Sequence, residues 1–189
     1  MDQLQARTRF QALRETKGRV EAAALDEVWA VLDTVRPEEI LGEWRGGEFD
    51  TGHPLNGELA KAGWYGKTFA SVHDAKPLMC RDTAGELYSN LELGKGEASL
   101  WTVEFRGEST ATMVYDGRPV LDHFKRVDDT TLMGIMNAKG VPAEGPYYYF
   151  FLERARGVPG PRSSGSRAPR SPSWRWIWRT RVRARYWSG

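Results

Sequence analysis

Apolar and polar positions along this chain change their period once, near residue 40. Before that point Phe10 and Leu13, then Leu25, Val28, Trp29, Leu32 and Val35, recur at spacings of three and four. Such spacing lays side chains along one face of an α-helix, so helical structure is predicted over 6–35, interrupted at Gly18. Pro37 starts a new turn, with Glu38 and Glu39 where a helix N-terminus favours acids. The apolar stripe marks these helices as a flank or lid packed on the remainder.

From Leu41 onward the period falls towards two and the runs shorten. Strands are predicted over residues 43–49, 64–72, 87–93, 100–106, 110–115, 120–127, 131–137 and 147–153. Gly85, Gly94, Gly96, Gly107, Gly117 and Gly140 punctuate them. The intervals are too short for helical crossovers, which makes the sheet antiparallel and up-and-down. Closure is the economical way to remove its edges. The fold class expected is mainly β: a single antiparallel, calycin-like barrel of about eight strands with N-terminal helices and a disordered C-terminal tail. Alternation points Trp101, Val103 and Phe105 inward, and likewise Ala111, Met113 and Tyr115. His123 shares a face with Leu121 and is expected inside, with Asp122 on the opposite face.

Composition divides the chain unequally. Every charged residue after Ala155 is an arginine; setting those nine aside leaves 18 basic against 25 acidic residues, about −7 for residues 1–155. The tail mixes these arginines with Pro, Ser, Gly and four of the eight tryptophans. It reads as disordered, either a phosphate- or lipid-binding arm or the product of a shifted reading frame. The acidic body gives no reason to expect nucleic acid. No apolar run reaches the length of a membrane span, and the N-terminus has no signal-peptide core. With Cys80 the lone cysteine, no internal disulfide can form, and a cytoplasmic protein is expected.

Gly42-Glu43-Trp44-Arg45-Gly46, then Thr51-Gly52-His53-Pro54, Gly63-Trp64-Tyr65-Gly66-Lys67 and Pro77-Leu78, resemble the GXWXG domain of bacterial proteins. Met113-Val114-Tyr115-Asp116, Asp122-His123-Phe124, Gly134-Ile135-Met136 and Phe150-Phe151-Leu152-Glu153-Arg154 resemble the domain of unknown function that usually follows it. The resemblance covers about residues 37–154 and implies a compact calycin-like barrel with no established activity. It divides the chain into a helical segment 1–36, a GXWXG part 37–95, the following domain 96–155 and the tail 156–189. Trp44 would close the barrel floor.

The chain carries more large rings than a small barrel needs to fill itself, so an internal cavity for a small hydrophobic or lipid-like molecule is expected. Its lining is predicted as Trp44, Trp64, Phe69, Trp101, Tyr115, His123 and Tyr149. A GxWxG opening is also similar to nitrobindins, which would make His123 a haem ligand; otherwise no cofactor is predicted. A small-molecule enzyme using His123 in the cavity is the other alternative. His53, His73 and His123 show no metal-binding spacing. Cys80 reads as a buried, inert thiol, and Lys67 as a solvated strand residue or a contact for an anionic head group at the barrel mouth.

Overall fold

A computed structural model describes residues 1–142 and 145–155. The expectation of disorder for 156–189 lies outside the described residues. Helix α1 (Gln3–Glu15) opens with a capping box, in which Asp2 accepts from the Gln5 amide and the Gln5 side chain accepts from the Asp2 amide. Helix α2 (Ala22–Trp29) carries Leu25, Val28 and Trp29 on its buried face. The helical stripe predicted through Val35 ends at Trp29, because Asp33–Thr34 (β1) is drawn out to pair with Lys125 and Arg126. Val35 then turns into the barrel, and a 3-10 turn over Pro37–Ile40 follows.

The remaining strands are β2 (Gly42–Glu48), β3 (Trp64–Ser71), β4 (Asp74–Arg81), β5 (Leu87–Ser89), β6 (Ala98–Phe105), β7 (Glu108–Tyr115), β8 (Val120–Asp128), β9 (Thr131–Ala138) and β10 (Tyr148–Arg154). Short helices α3 (Glu58–Lys61) and α4 (Leu91–Gly94) lie in the connections. Neighbours pair antiparallel in the order β2-β3-β4-β6-β7-β8-β9-β10, and β10 returns to β2 from Phe150↔Glu48 to Arg154↔Trp44. Eight strands thus close into a ring, which leaves β5 as a short flap on β4.

One predicted strand was misplaced. Residues 87–93 form only the flap and α4, while the eighth member of the ring is β4, which contains Pro77. Proline cannot donate to a ladder. Here the ladder skips it: the register passes from Thr68↔Lys76 to Gly66↔Met79, a bulge that leaves Pro77 unpaired.

Two apolar clusters result. Inside the ring are Trp44, Phe69, Leu100, Met113, Phe124, Phe150 and their neighbours. Outside, under α1 and α2, lie Phe10, Leu25, Trp29, Phe49, Phe105, Ile135 and Tyr149. Burial of each large side chain is worth about 1.5–3 kcal/mol, so the helices are held to the barrel by a second core. Arg14 to Glu153 at 2.8 Å and Arg106 to Asp26 at 2.6 Å rim that contact.

Candidate functional site

The face each strand presents follows from its register. On β7 the residues Ala111, Met113 and Tyr115 point inward as expected. Their partners on β6 are Thr102, Leu100 and Ala98, so the even positions of β6 face inward as well. Trp101 and Phe105 therefore lie outside, contrary to expectation. Trp101 is 51% exposed beside His73, and Phe105 packs under the helices against Trp29.

On β8 it is Asp122 that points in and His123 that points out, the reverse of the expected arrangement. Tyr115 and Asp122 meet on the inner face of the adjacent strands β7 and β8, whereas His123 stacks on Phe105 with ring centroids 3.9 Å apart. Its Nδ1 is 2.9 Å from Thr112 Oγ1, whose hydroxyl also reaches the Thr110 carbonyl at 3.2 Å. Burial, with the Arg106 charge nearby, lowers the imidazole pKa to about 4 and holds it neutral. One ring face is occupied by Phe105 and the site lies beneath the helices, so His123 does not fit the axial position of a haem held in the barrel. Tyr149 also sits outside, donating to Asp26 at 2.6 Å.

Four of the seven expected lining residues do meet inside: Trp44, Trp64, Phe69 and Tyr115. Trp44 lies at the end closed by the 3-10 turn. It donates its indole N–H to the Ile40 carbonyl at 2.8 Å, and the Arg154 guanidinium lies 4.4 Å over its ring. The indole of Trp64 lies against Gly46, the last glycine of the GxWxG run.

The chemistry of the interior comes from residues that strand alternation hides. With Trp64 facing in, Lys67 three positions later would face out. A bulge between Trp64↔Cys80 and Gly66↔Met79 inserts Tyr65 and reverses the pleat, and Lys67 turns inward. Gly66 permits this, since a Cβ there would stand 1.9 Å from the Trp44 carbonyl oxygen. Lys67 is 3% exposed, and its ammonium lies 2.8 Å from Asp122 Oδ2 and 3.3 Å from the Pro77 carbonyl. The rings of Phe150, Trp64 and Tyr115 surround it at 5.1, 5.6 and 5.9 Å.

Asp122 is 1% exposed; Tyr115 donates to its Oδ2 at 3.4 Å, and among the described residues Oδ1 has no hydrogen-bond partner. Burial pushes the Asp122 carboxyl upward against the pull of Lys67, and it pushes the Tyr115 phenol well up, helped by the carboxylate beside it.

A second inward carboxylate marks the opposite end from Trp44. Glu48 accepts from the Tyr148 hydroxyl and, at 2.7 Å, from the Gly57 amide. It also borders an open cleft of about 450 Å³ lined by Arg19, Asp50, Gly52, His53 and Asn56. The segment between β2 and β3 covers this end, and Leu59 from α3 packs onto the interior cluster. Cys80 is buried and its thiol is pushed up by desolvation, as expected of an inert cysteine.

A closed antiparallel barrel, aromatic inside and holding one buried lysine–aspartate pair, is the class of protein these observations define. The chain belongs to the GXWXG proteins that carry a following domain of unknown function (DUF4334). The GXWXG model matches residues 27–85 and the DUF4334 model residues 96–154. The first segment contains β2 to β4 and the second β6 to β10, so both contribute to one ring. A crystal structure described as a protein from Thermomonospora curvata is 39% identical and covers 80% of this chain and 99% of its own, with a TM-score of 0.73. No curated protein matches the chain significantly. Among the described residues no helix is long and apolar enough to cross a membrane.

Proposed function

We propose that the barrel binds a small molecule with a mainly apolar body and one polar group, seated against Lys67 and Asp122. The observation that carries this reading is Asp122 Oδ1, a buried carboxylate oxygen with no partner among the described residues, inside an aromatic interior. Burying an ion pair gains less than apolar residues of similar volume would, and an unmet acceptor adds about 1–3 kcal/mol of cost. A ligand hydroxyl or N–H would satisfy that oxygen, with Trp64, Phe124 and Phe150 holding the apolar remainder. Entry is from the Glu48 end, where the cleft approaches Tyr148. Work in the cytoplasm is part of this reading, since the lone Cys80 is a buried free thiol.

Native mass spectrometry of the freshly purified protein tests this. A co-purified small molecule that is depleted in the Asp122→Asn variant is the expected result. A spectrum of unliganded protein alone, with no rise in melting temperature on adding decanol or dodecanol, overturns it.

A further inference from the structure

We propose that Lys67 forms a reversible imine with a small apolar aldehyde held in the barrel, with Asp122 as proton acceptor and counterion. This deepens the ligand-binding reading above and rests on it.

Three features equip the site for reversible imine formation at Lys67. The bulge at Tyr65 and Gly66 turns Lys67 away from solvent, where an ordinary strand would leave it hydrated. Its ion-pair partner is a carboxylate whose burial favours the protonated form, so Asp122 can take up the proton that the ammonium must shed before it attacks. Apart from the Pro77 carbonyl and the Tyr115 hydroxyl, the surroundings of the ammonium are ring faces and apolar side chains. They exclude the water that hydrolyses imines, and the π faces that now meet the ammonium would equally stabilise the iminium formed from it.

The polar lining also selects the carbonyl type. Asp122 and Glu48 both face the interior, so an anionic ligand would meet like charge, whereas a neutral aldehyde would not.

The step balances without an added reagent. Lys67 passes a proton to Asp122, and its lone pair forms a C–N bond to the carbonyl carbon while the oxygen takes up the amine proton. The carbinolamine then loses its C–O bond as Asp122 returns its proton to the leaving water. The product is an iminium paired with the Asp122 carboxylate. Ammonium plus aldehyde has become iminium plus water, with nothing oxidised or reduced.

The test is reductive trapping on the full chain, with decanal and sodium cyanoborohydride at neutral pH followed by peptide mapping. Lys67 is expected to carry the reduced adduct at about tenfold or more the occupancy of the exposed Lys17, Lys61, Lys95 and Lys139, because the barrel holds the aldehyde against its amine. Lys125 is an internal control: it is equally buried but lies outside the barrel, between the Trp29 carbonyl and Glu108. Labelling of Lys125 or the surface lysines at the level of Lys67 overturns the proposal, and the wild-type map decides this without any variant. Lys67→Arg should abolish the adduct. Decanol binding without a Lys67 adduct defeats the imine alone. Failure of both decanol and decanal to bind defeats the ligand-binding reading itself.

Discussion

The indole of Trp64 occupies the space in which any side chain at position 46 would stand, with Cη2 only 2.2 Å from where a Cβ of residue 46 would be placed. The last glycine of the GxWxG run is thus required by a ring from the next strand. Trp44, between the two glycines, closes the floor, and Gly46 admits the wall above it.

Gly46→Ala should therefore displace Trp64 and cost about 1–3 kcal/mol, the range of an overpacked core. Urea denaturation followed by circular dichroism measures it. Adding Trp64→Leu should restore part of the loss. Gly94→Ala is the control, since its Cβ would meet Leu78 at an ordinary 3.7 Å; its midpoint should scarcely move.

Removing one member of the Lys67–Asp122 pair strands the other in the barrel. Lys67→Met and Asp122→Leu should each cost about 3–5 kcal/mol, and the double variant markedly less than their sum. Additive losses in the double-mutant cycle would mean the two charges are not coupled.

His123 ties stability to acid. Its pKa is about 4 in the folded chain against an ordinary 6.5, so between those values the unfolded chain binds the extra proton. Stability must fall as pH drops through 6.5 towards 4, by on the order of 3 kcal/mol once both values are passed. The difference in unfolding free energy between wild type and His123→Gln, followed from pH 7 to pH 4, isolates this contribution. A difference that does not change with pH would refute it.

Glu48 links the barrel to the segment that covers its mouth, through Tyr148 on one side and the Gly57 amide on the other. Tyr148→Phe leaves Glu48 Oε2 with only the long contact from the Asn56 amide at 3.5 Å, and Glu48→Ala removes the Tyr148, Gly57 and Asn56 links together. Amide exchange over residues 51–62 should quicken by about tenfold in Glu48→Ala, the equivalent of one lost hydrogen bond, and less in Tyr148→Phe. Equal exchange in all three proteins would place the closure of the mouth elsewhere.

The barrel was legible because short period-two runs with glycine punctuation allow few arrangements, and because Gly46, Trp64 and their neighbours stand in a recognisable order. Its eighth strand was hidden by Pro77, which ordinary strand rules reject and which a bulge accommodates. The candidate site was legible only in its rings. Trp44, Trp64, Phe69 and Tyr115 converge, but Trp101, His123 and Tyr149 fall outside because a cross-strand register, not the pattern within one strand, decides which face is inner.

Lys67 illustrates the divide. The chain by itself determines that a lysine follows Gly66 in an apolar strand, and local chemistry makes its charge a surface feature. A single inserted residue in the β3 ladder reverses that, since the pleat has a period of two and one extra residue sends every later side chain to the other face. The amino-acid sequence thus determined the two helices, seven of the eight ring strands and the aromatic stock of the interior, all of which arise from local period and turn chemistry. Tertiary structure alone decided that Lys67 and Asp122, 55 positions apart, meet inside the barrel, because their approach depends on ring closure and on bulges that no local pattern records.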